Sequence, residues 1–181
     1  RRRHTRLQGD WSSDVCSSDP TRSFQSMYDS LNTNQWMASV QCQAAAYLPF
    51  SEHVVIKCGW RASKRWGVQA FDNEVERIGG FKTLRGFNEL SFPLTGYSIQ
   101  TAELRYILEG NSFVYLFVDQ AYTELYTYTQ HITNHPLGFG TGLAFETKAG
   151  IFQVSYAYGK TDLTPVQWRA AKIHFGYLVQ L

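Results

Sequence analysis

Apolar residues alternate with small or polar residues along most of the chain from Ser98 onward. Alternation with a period of two is typical of a β-strand with two unlike faces. In one run, Leu104 and Tyr106 share a predicted face, and Glu103 and Arg105 share the other. The pattern predicts about eight strands, the clearest of them at 98–108, 114–119, 138–148, 150–160, 173–181, 36–43 and 56–61.

The predicted strands are long, and their second face is unusual for a soluble sheet. Each spans about ten residues, which matches the roughly 9–11 residues that a tilted strand needs to cross a bilayer. The second face carries mainly Gly, Ala, Ser and Gln rather than Lys and Glu. Tight turns such as 109–111 alternate with long polar connections at 123–137 and 161–170, as in outer-membrane barrels. We therefore predict an all-β fold, a transmembrane antiparallel β-barrel, and not a soluble β-sandwich.

Composition argues against several classes of protein, among them nucleic-acid-binding, zinc-binding and helical membrane proteins. Charged residues are 18% of the chain, below the roughly 25% of typical soluble domains, and aromatic residues are 15%. The net charge of +2 supports no nucleic-acid partner, and three scattered cysteines predict neither a disulfide framework nor a zinc site. No apolar run approaches the length of a transmembrane helix.

The sequence contains no motif that predicts catalysis. A nucleophile elbow, a phosphate-binding loop and a zinc-protease helix are all missing from it. His131 and His135 stand four residues apart, but in a predicted polar loop that does not align them as metal ligands. We expect no enzyme activity, no cofactor and no metal.

The first residues differ from the rest. Residues 1–19 show no periodicity and lack the apolar core of a signal peptide. They resemble the conceptual translation of a sequencing adaptor joined to a truncated gene. We therefore expect 1–19 to be non-native, 20–181 to be the C-terminal part of a barrel domain, and the native chain to begin upstream.

A long connection at 79–95 contains Leu84, Arg85, Gly86 and Phe87 in succession. These four residues resemble the (V/L)RG(F/Y) signature of the BamA/TamA-type outer-membrane assembly factors, the bacterial surface antigen family. Segments at 117–119, 138–142, 146–150 and 174–177 resemble further parts of that family in its order, the last in a Bacteroidetes-like form.

The resemblance implies the architecture and a loop site. It implies that the chain is a partial barrel of about eight strands from a larger barrel of about sixteen, within the range of known barrels, preceded by periplasmic POTRA domains. The loop 79–95 would fold into the lumen. Arg85 matches the signature arginine, and its expected acidic partner is Asp119, with Glu103 and Glu146 as secondary candidates because they share the predicted inner face.

The last predicted strand carries a second implied site. Its end fits the outer-membrane β-signal of a polar residue, a glycine and two hydrophobic residues. In the family this strand forms a weak seam, and glycine weakens strand interiors. The signal positions are His174, Gly176, Val179 and Leu181.

The resemblance implies a function without covalent chemistry. The chain would belong to an integral protein of the Gram-negative outer membrane. This protein would insert other outer-membrane proteins by pairing their strands at an opened seam. Its partners would be outer-membrane lipid, nascent outer-membrane proteins and accessory lipoproteins. The sequence leaves two alternatives open, a two-partner-type protein secretion pore and a small passive barrel.

Overall fold

The structure, a computed structural model, describes residues 37–67, 75–127, 131–148 and 150–178. These residues form ten strands and no helix, which confirms the all-β class. Within them, no helix has the length and apolar character needed to cross a membrane. The expectations for 1–19, Val179 and Leu181 concern residues outside the described part.

The seven long strands follow the alternation that predicted them. Apolar side chains at every second position give each strand one apolar face, so pairing with neighbours of the same pattern aligns these faces. The strands are β1 Met37–Pro49, β2 Val54–Gly67, β3 Glu76–Ile78, β4 Phe92–Leu94, β5 Gly96–Glu109, β6 Ser112–Tyr126, β7 His131–Asn134, β8 Leu137–Thr147, β9 Gly150–Lys160 and β10 Lys172–Leu178.

Eight of these strands form one antiparallel sheet. Seven lie side by side in the order β1, β2, β5, β6, β8, β9, β10, and β7 pairs with the end of β6 beyond β8. Strands β3 and β4 form a separate two-stranded sheet. Strands β1 and β10 are the edges of the described sheet, which is therefore open and not closed into a barrel.

The two faces of the large sheet differ in burial and in chemistry. The outer face exposes apolar side chains, including Leu116, which is 58% exposed, and Phe175, which is 75% exposed. The inner face buries Phe117, Asp119 and Ala121 on β6 alone. The alternation predicted this division correctly for β5 and β6.

Three short strands, β3, β4 and β7, were not predicted. Strand β6 runs on to Tyr126, and β7 pairs with it in the region predicted as a polar connection, with Thr123 opposite Asn134. The loop region 79–95 includes β4, which pairs with β3 just before that region. Strands of three or four residues are too short for a period of two to identify them.

Candidate functional site

The loop 79–91 is closed at its base by β3 and β4. Residues Glu76 and Leu94 are opposite each other in this hairpin. The Glu76 carboxylate accepts hydrogen bonds from Ser63 Oγ at 2.8 Å and from Tyr97 Oη at 3.2 Å. These bonds fasten the hairpin to β2 and β5, so both ends of the loop are fixed to the sheet.

Hydrogen bonds within the loop define its path. The Gly79 N–H donates to Thr83 Oγ1 at 2.8 Å, and the Gly80 N–H donates to the Leu84 carbonyl at 2.9 Å. Farther along, the Phe81 N–H donates to Glu89 Oε1 at 2.8 Å. The loop therefore has a folded conformation of its own.

Two residues of the signature attach the loop to an apolar cluster on the inner face. Leu84 is fully buried in this cluster, and Phe87 packs against it. The Phe87 ring also meets Phe92 of β4 edge to face, with ring centroids 5.0 Å apart. The other buried members are Ile78, Leu94, Tyr97, Ile99 and Ala121.

Arg85 forms a two-pronged ion pair with Asp119 of β6. Arg85 Nε donates to Asp119 Oδ2 and Nη2 donates to Oδ1, both at 2.7 Å. The backbone N–H of Arg85 also donates to Oδ2, at 3.3 Å. Asp119 is fully buried and Arg85 is 8% exposed. Paired, parallel hydrogen bonds of this kind fix orientation as well as supply attraction.

Glu103 of β5 completes the charged cluster. It accepts from Arg85 Nη1 at 2.8 Å and from Arg105 Nε at 2.9 Å, and Lys57 Nζ lies 3.4 Å away. The Arg85 guanidinium carbon lies 3.7 Å from the centroid of the Phe117 ring, a cation–π contact. We call Arg85, Asp119 and Glu103 the charged anchor.

The charged anchor keeps the arginine ionised. Burial of the guanidinium favours its neutral form, but the hydrogen bonds and charge of Asp119, with the charge of Glu103, outweigh this effect. The pKa of Arg85 is therefore raised above its usual value. Chemically, the cluster holds the loop on the wall by charge. It presents no nucleophile and base in contact, and the described residues contain no group of three metal-binding side chains.

A second set of contacts joins the loop to the last three strands. An ideal Cβ on Gly138 would lie 1.9 Å from the Arg85 carbonyl oxygen, and one on Gly159 would lie 2.6 Å from the Gly86 carbonyl oxygen. An ideal Cβ on Gly176 would lie 2.1 Å from the Phe81 ring. Only glycine leaves room for the loop here. We call Gly138, Gly159 and Gly176 the glycine lane.

The backbone of Gly86 packs directly against the backbone of β9. Its φ is +90°, and an added Cβ would meet the Tyr158 carbonyl oxygen at 2.3 Å. The Gly86 N–H donates to His174 Nε2 of β10 at 3.1 Å. This bond is the loop's hydrogen bond to the edge strand.

The structure brings together most of the residues singled out in the sequence, but not all of them. Leu84, Arg85, Gly86, Phe87, Asp119, Glu103, His174 and Gly176 lie at the loop and the wall beneath it. The expectation that Glu146 partners Arg85 is wrong. Glu146 is exposed at the end of β8, where it accepts hydrogen bonds from Asn111 N–H at 3.1 Å and Nδ2 at 3.0 Å.

His131, which begins β7 and does not lie in a loop as predicted, and His135 contact different residues. His131 Nε2 is 3.6 Å from Glu124 Oε1, and His135 Nδ1 is 3.0 Å from Asp162 Oδ2. Each ring therefore faces a different carboxylate.

Sequence reasoning missed several contributors to the site, among them three charged residues. Lys57 and Arg105 flank Glu103, and their inner-face positions in the alternation were the available signal. Glu76 had no such signal, because its strand is too short to show a pattern. The contact between Gly86 and His174 joins residues 88 positions apart and had no signal either.

Comparisons of this chain with protein-family models, with curated proteins and with solved structures gave no match. The family resemblance therefore depends on the motifs in the sequence alone.

Proposed function

We propose that this chain is part of an outer-membrane β-barrel of the BamA/TamA type, which inserts other outer-membrane proteins by strand pairing at a seam. The observation that carries the proposal is the buried ion pair between Arg85 of the signature loop and Asp119 of the sheet. A loop motif whose arginine is held by the inner wall is what the resemblance implies for an assembly factor.

The outer face of the sheet supports a membrane setting. The outward positions of β6 between Val114 and Tyr122 carry no charge, and Leu116 and Val118 there are exposed. A contiguous exposed apolar face of this kind is typical of a surface that contacts a membrane or another protein. An outward apolar band over an inner face that holds buried ionised side chains, here Glu103 and Asp119, is typical of a transmembrane barrel.

Aromatic side chains at one end of the sheet support the same setting. Tyr122 and Tyr126 are exposed at the end of β6, and Trp168 of the long connection packs on Tyr158 with ring centroids 5.1 Å apart. Aromatic residues at the level of the lipid headgroups form the girdles of outer-membrane barrels.

The loop contributes to this function as a fixed strut. Within the described residues, the three hydrogen bonds that the Asp119 carboxylate accepts all come from Arg85. A buried carboxylate with one partner is stable only while that partner stays in place. The inner face of the sheet is therefore stable only with the loop bound to it. A loop fixed in this way would keep the strands of the barrel wall in place while a seam opens.

The experiment replaces Arg85 by Glu in the protein that contains this chain, in cells whose own copy is repressed. The new carboxylate would face Asp119 and Glu103, so we expect the loop to leave the wall. The variant should still reach the outer membrane, while the amount of folded outer-membrane proteins, measured by heat-modifiable migration, falls several-fold.

Arg77→Glu is the matched control, because Arg77 is an exposed arginine on β3 and undergoes the same change of charge. We expect it to behave as wild type. Normal levels of folded outer-membrane proteins with Arg85→Glu would contradict the proposal. Loss of one exported protein, with all other outer-membrane proteins normal, would instead indicate a secretion pore.

A further inference from the structure

The edge strand β10 presents its inner face to the loop. Within the described sheet it pairs with β9 alone, with His174 opposite Ser155 and Gly176 opposite Gln153. His174 is 7% exposed and points inward, whereas Phe175 between these two residues is 75% exposed. An edge strand therefore carries two inward positions that touch a loop from far along the chain.

The two inward positions meet the loop in different ways. His174 Nε2 receives the hydrogen bond of the Gly86 N–H. Gly176 leaves the space that the Phe81 ring fills. Because the two positions are two residues apart on a strand, they lie on the same face and both face the loop.

We propose that His174 is a positioning residue that ties the loop 79–91 to β10, so that the loop contact depends on the register of this edge strand. A slip of one residue against β9 would turn His174 and Gly176 outward and turn Phe175 inward. A slip of two residues would move both contacts by roughly 6.6 Å. Only the observed register preserves the bond and the space together.

The bond also sets the protonation state of the imidazole. The Gly86 N–H is a donor, so Nε2 must offer its lone pair and the ring must be neutral. A protonated ring would point an N–H at another N–H. The charged groups that influence His174 are Arg85 and Glu89 of the loop, Asp119 of β6, and Lys172 of its own strand.

The consequence for assembly rests on the proposed function, because only there does β10 open or pair with another strand. In that setting, the loop would hold β10 in register until the Gly86 bond is released. The coupling itself is a property of the fold and is measured without an assembly assay.

The experiment measures the distance between two spin labels in the protein reconstituted in lipid vesicles. One label is placed at Lys82, which is exposed on the loop, and the other at Tyr177, which faces outward from β10. The native cysteines are first replaced by serine. At pH 8 we expect a single narrow distance distribution, and at pH 5 we expect that narrow peak to be lost.

Two variants separate the bond from general effects of pH and folding. His174→Gln retains an acceptor, so its distribution should stay narrow at both pH values. His174→Leu removes the acceptor, so its distribution should be broad at both. Heat-modifiable migration identifies protein that has not folded.

The proposal is overturned if the wild-type distribution is the same at both pH values. It is also overturned if His174→Gln loses its narrow peak at pH 5 as the wild type does. If the distances behave as expected while the Arg85→Glu variant assembles outer-membrane proteins normally, the proposed function fails and the coupling stands.

Discussion

Among the contacts that hold the loop 79–91, those on two surfaces of one sheet are unlike. On β5 and β6 the charged anchor holds Arg85 by ion pairs, with two hydrogen bonds of 2.7 Å to Asp119. On β8, β9 and β10 the glycine lane holds the loop by close approach, with one neutral hydrogen bond of 3.1 Å to His174. The first surface binds the loop through the charge of Arg85, and the second binds it through close packing against glycines.

The difference indicates which attachment is the stronger one. Charge-assisted, two-pronged bonds in a buried site are strong, and breaking one leaves a buried charge without a partner. A single neutral hydrogen bond contributes about 0.5–1.5 kcal/mol. We infer that the loop stays on β5 and β6 while its contact with the edge strand is made and broken.

The largest effect is expected at the charged anchor. Arg85→Leu leaves Asp119 buried without a partner and should destabilise the protein by up to about 3–5 kcal/mol. The double variant Arg85→Leu/Asp119→Leu leaves no unpaired charge there, so we expect it to lose less than the single variant. Urea unfolding of both single variants, Arg85→Leu and Asp119→Leu, and of the double variant in lipid vesicles measures this. Losses that simply add would contradict a specific pair.

A smaller effect is expected in the glycine lane. Gly138→Ala places a methyl group against the Arg85 carbonyl oxygen, and such overpacking costs about 1–3 kcal/mol. Gly59→Ala is the matched control, because its Cβ would meet Thr101 at an ordinary 3.4 Å. The same unfolding measurement should show a loss for Gly138→Ala and little change for Gly59→Ala. Equal losses would mean that the loop does not lie against β8.

The smallest effect is expected at Glu146. Glu146→Gln removes an exposed charge whose hydrogen bonds, within the described residues, come from Asn111 of the turn, so the unfolding free energy should change by about 0.5 kcal/mol or less. Glu103→Gln should cost more, because it removes a buried carboxylate that faces Lys57, Arg85 and Arg105. The reverse order would restore Glu146 as the partner of the loop.

The long strands could be predicted because their signal is local. For β9 the alternation over 150–160 gave the observed bounds, Gly150–Lys160, and for β8 it came within one residue at each end. The face on which a strand residue lies follows from its place in the alternation, so a period of two is sufficient to predict the strand and its two faces. The same local signal placed Asp119 and Glu103 on the inner face.

The remaining contacts join distant segments, and no local signal encodes them. The motif resemblance suggested Asp119 for Arg85, across 34 positions. It did not suggest that Gly176 makes room for Phe81. From sequence alone, a glycine within a strand predicts only a weaker strand, because the residue that packs against it is not known. The same inner-face pattern made Glu146 a candidate partner of Arg85, although Glu146 lies at the end of β8 and accepts hydrogen bonds from the turn at Asn111.

The most direct test asks whether one face of the sheet meets lipid while the other meets the loop. Spin labels are placed at Val114, Leu116 and Val118 on the outer face, and at Gln43 and Thr101 on the inner face, where Thr101 lies opposite Asp119 and Gln43 lies opposite Arg61. The labelled protein in vesicles is then exposed to oxygen and to a water-soluble nickel reagent. We predict that oxygen reaches the β6 labels and that the nickel reagent reaches only the inner ones. Nickel access to the β6 labels equal to that of the inner labels would contradict a lipid-facing sheet, and with it the proposed barrel.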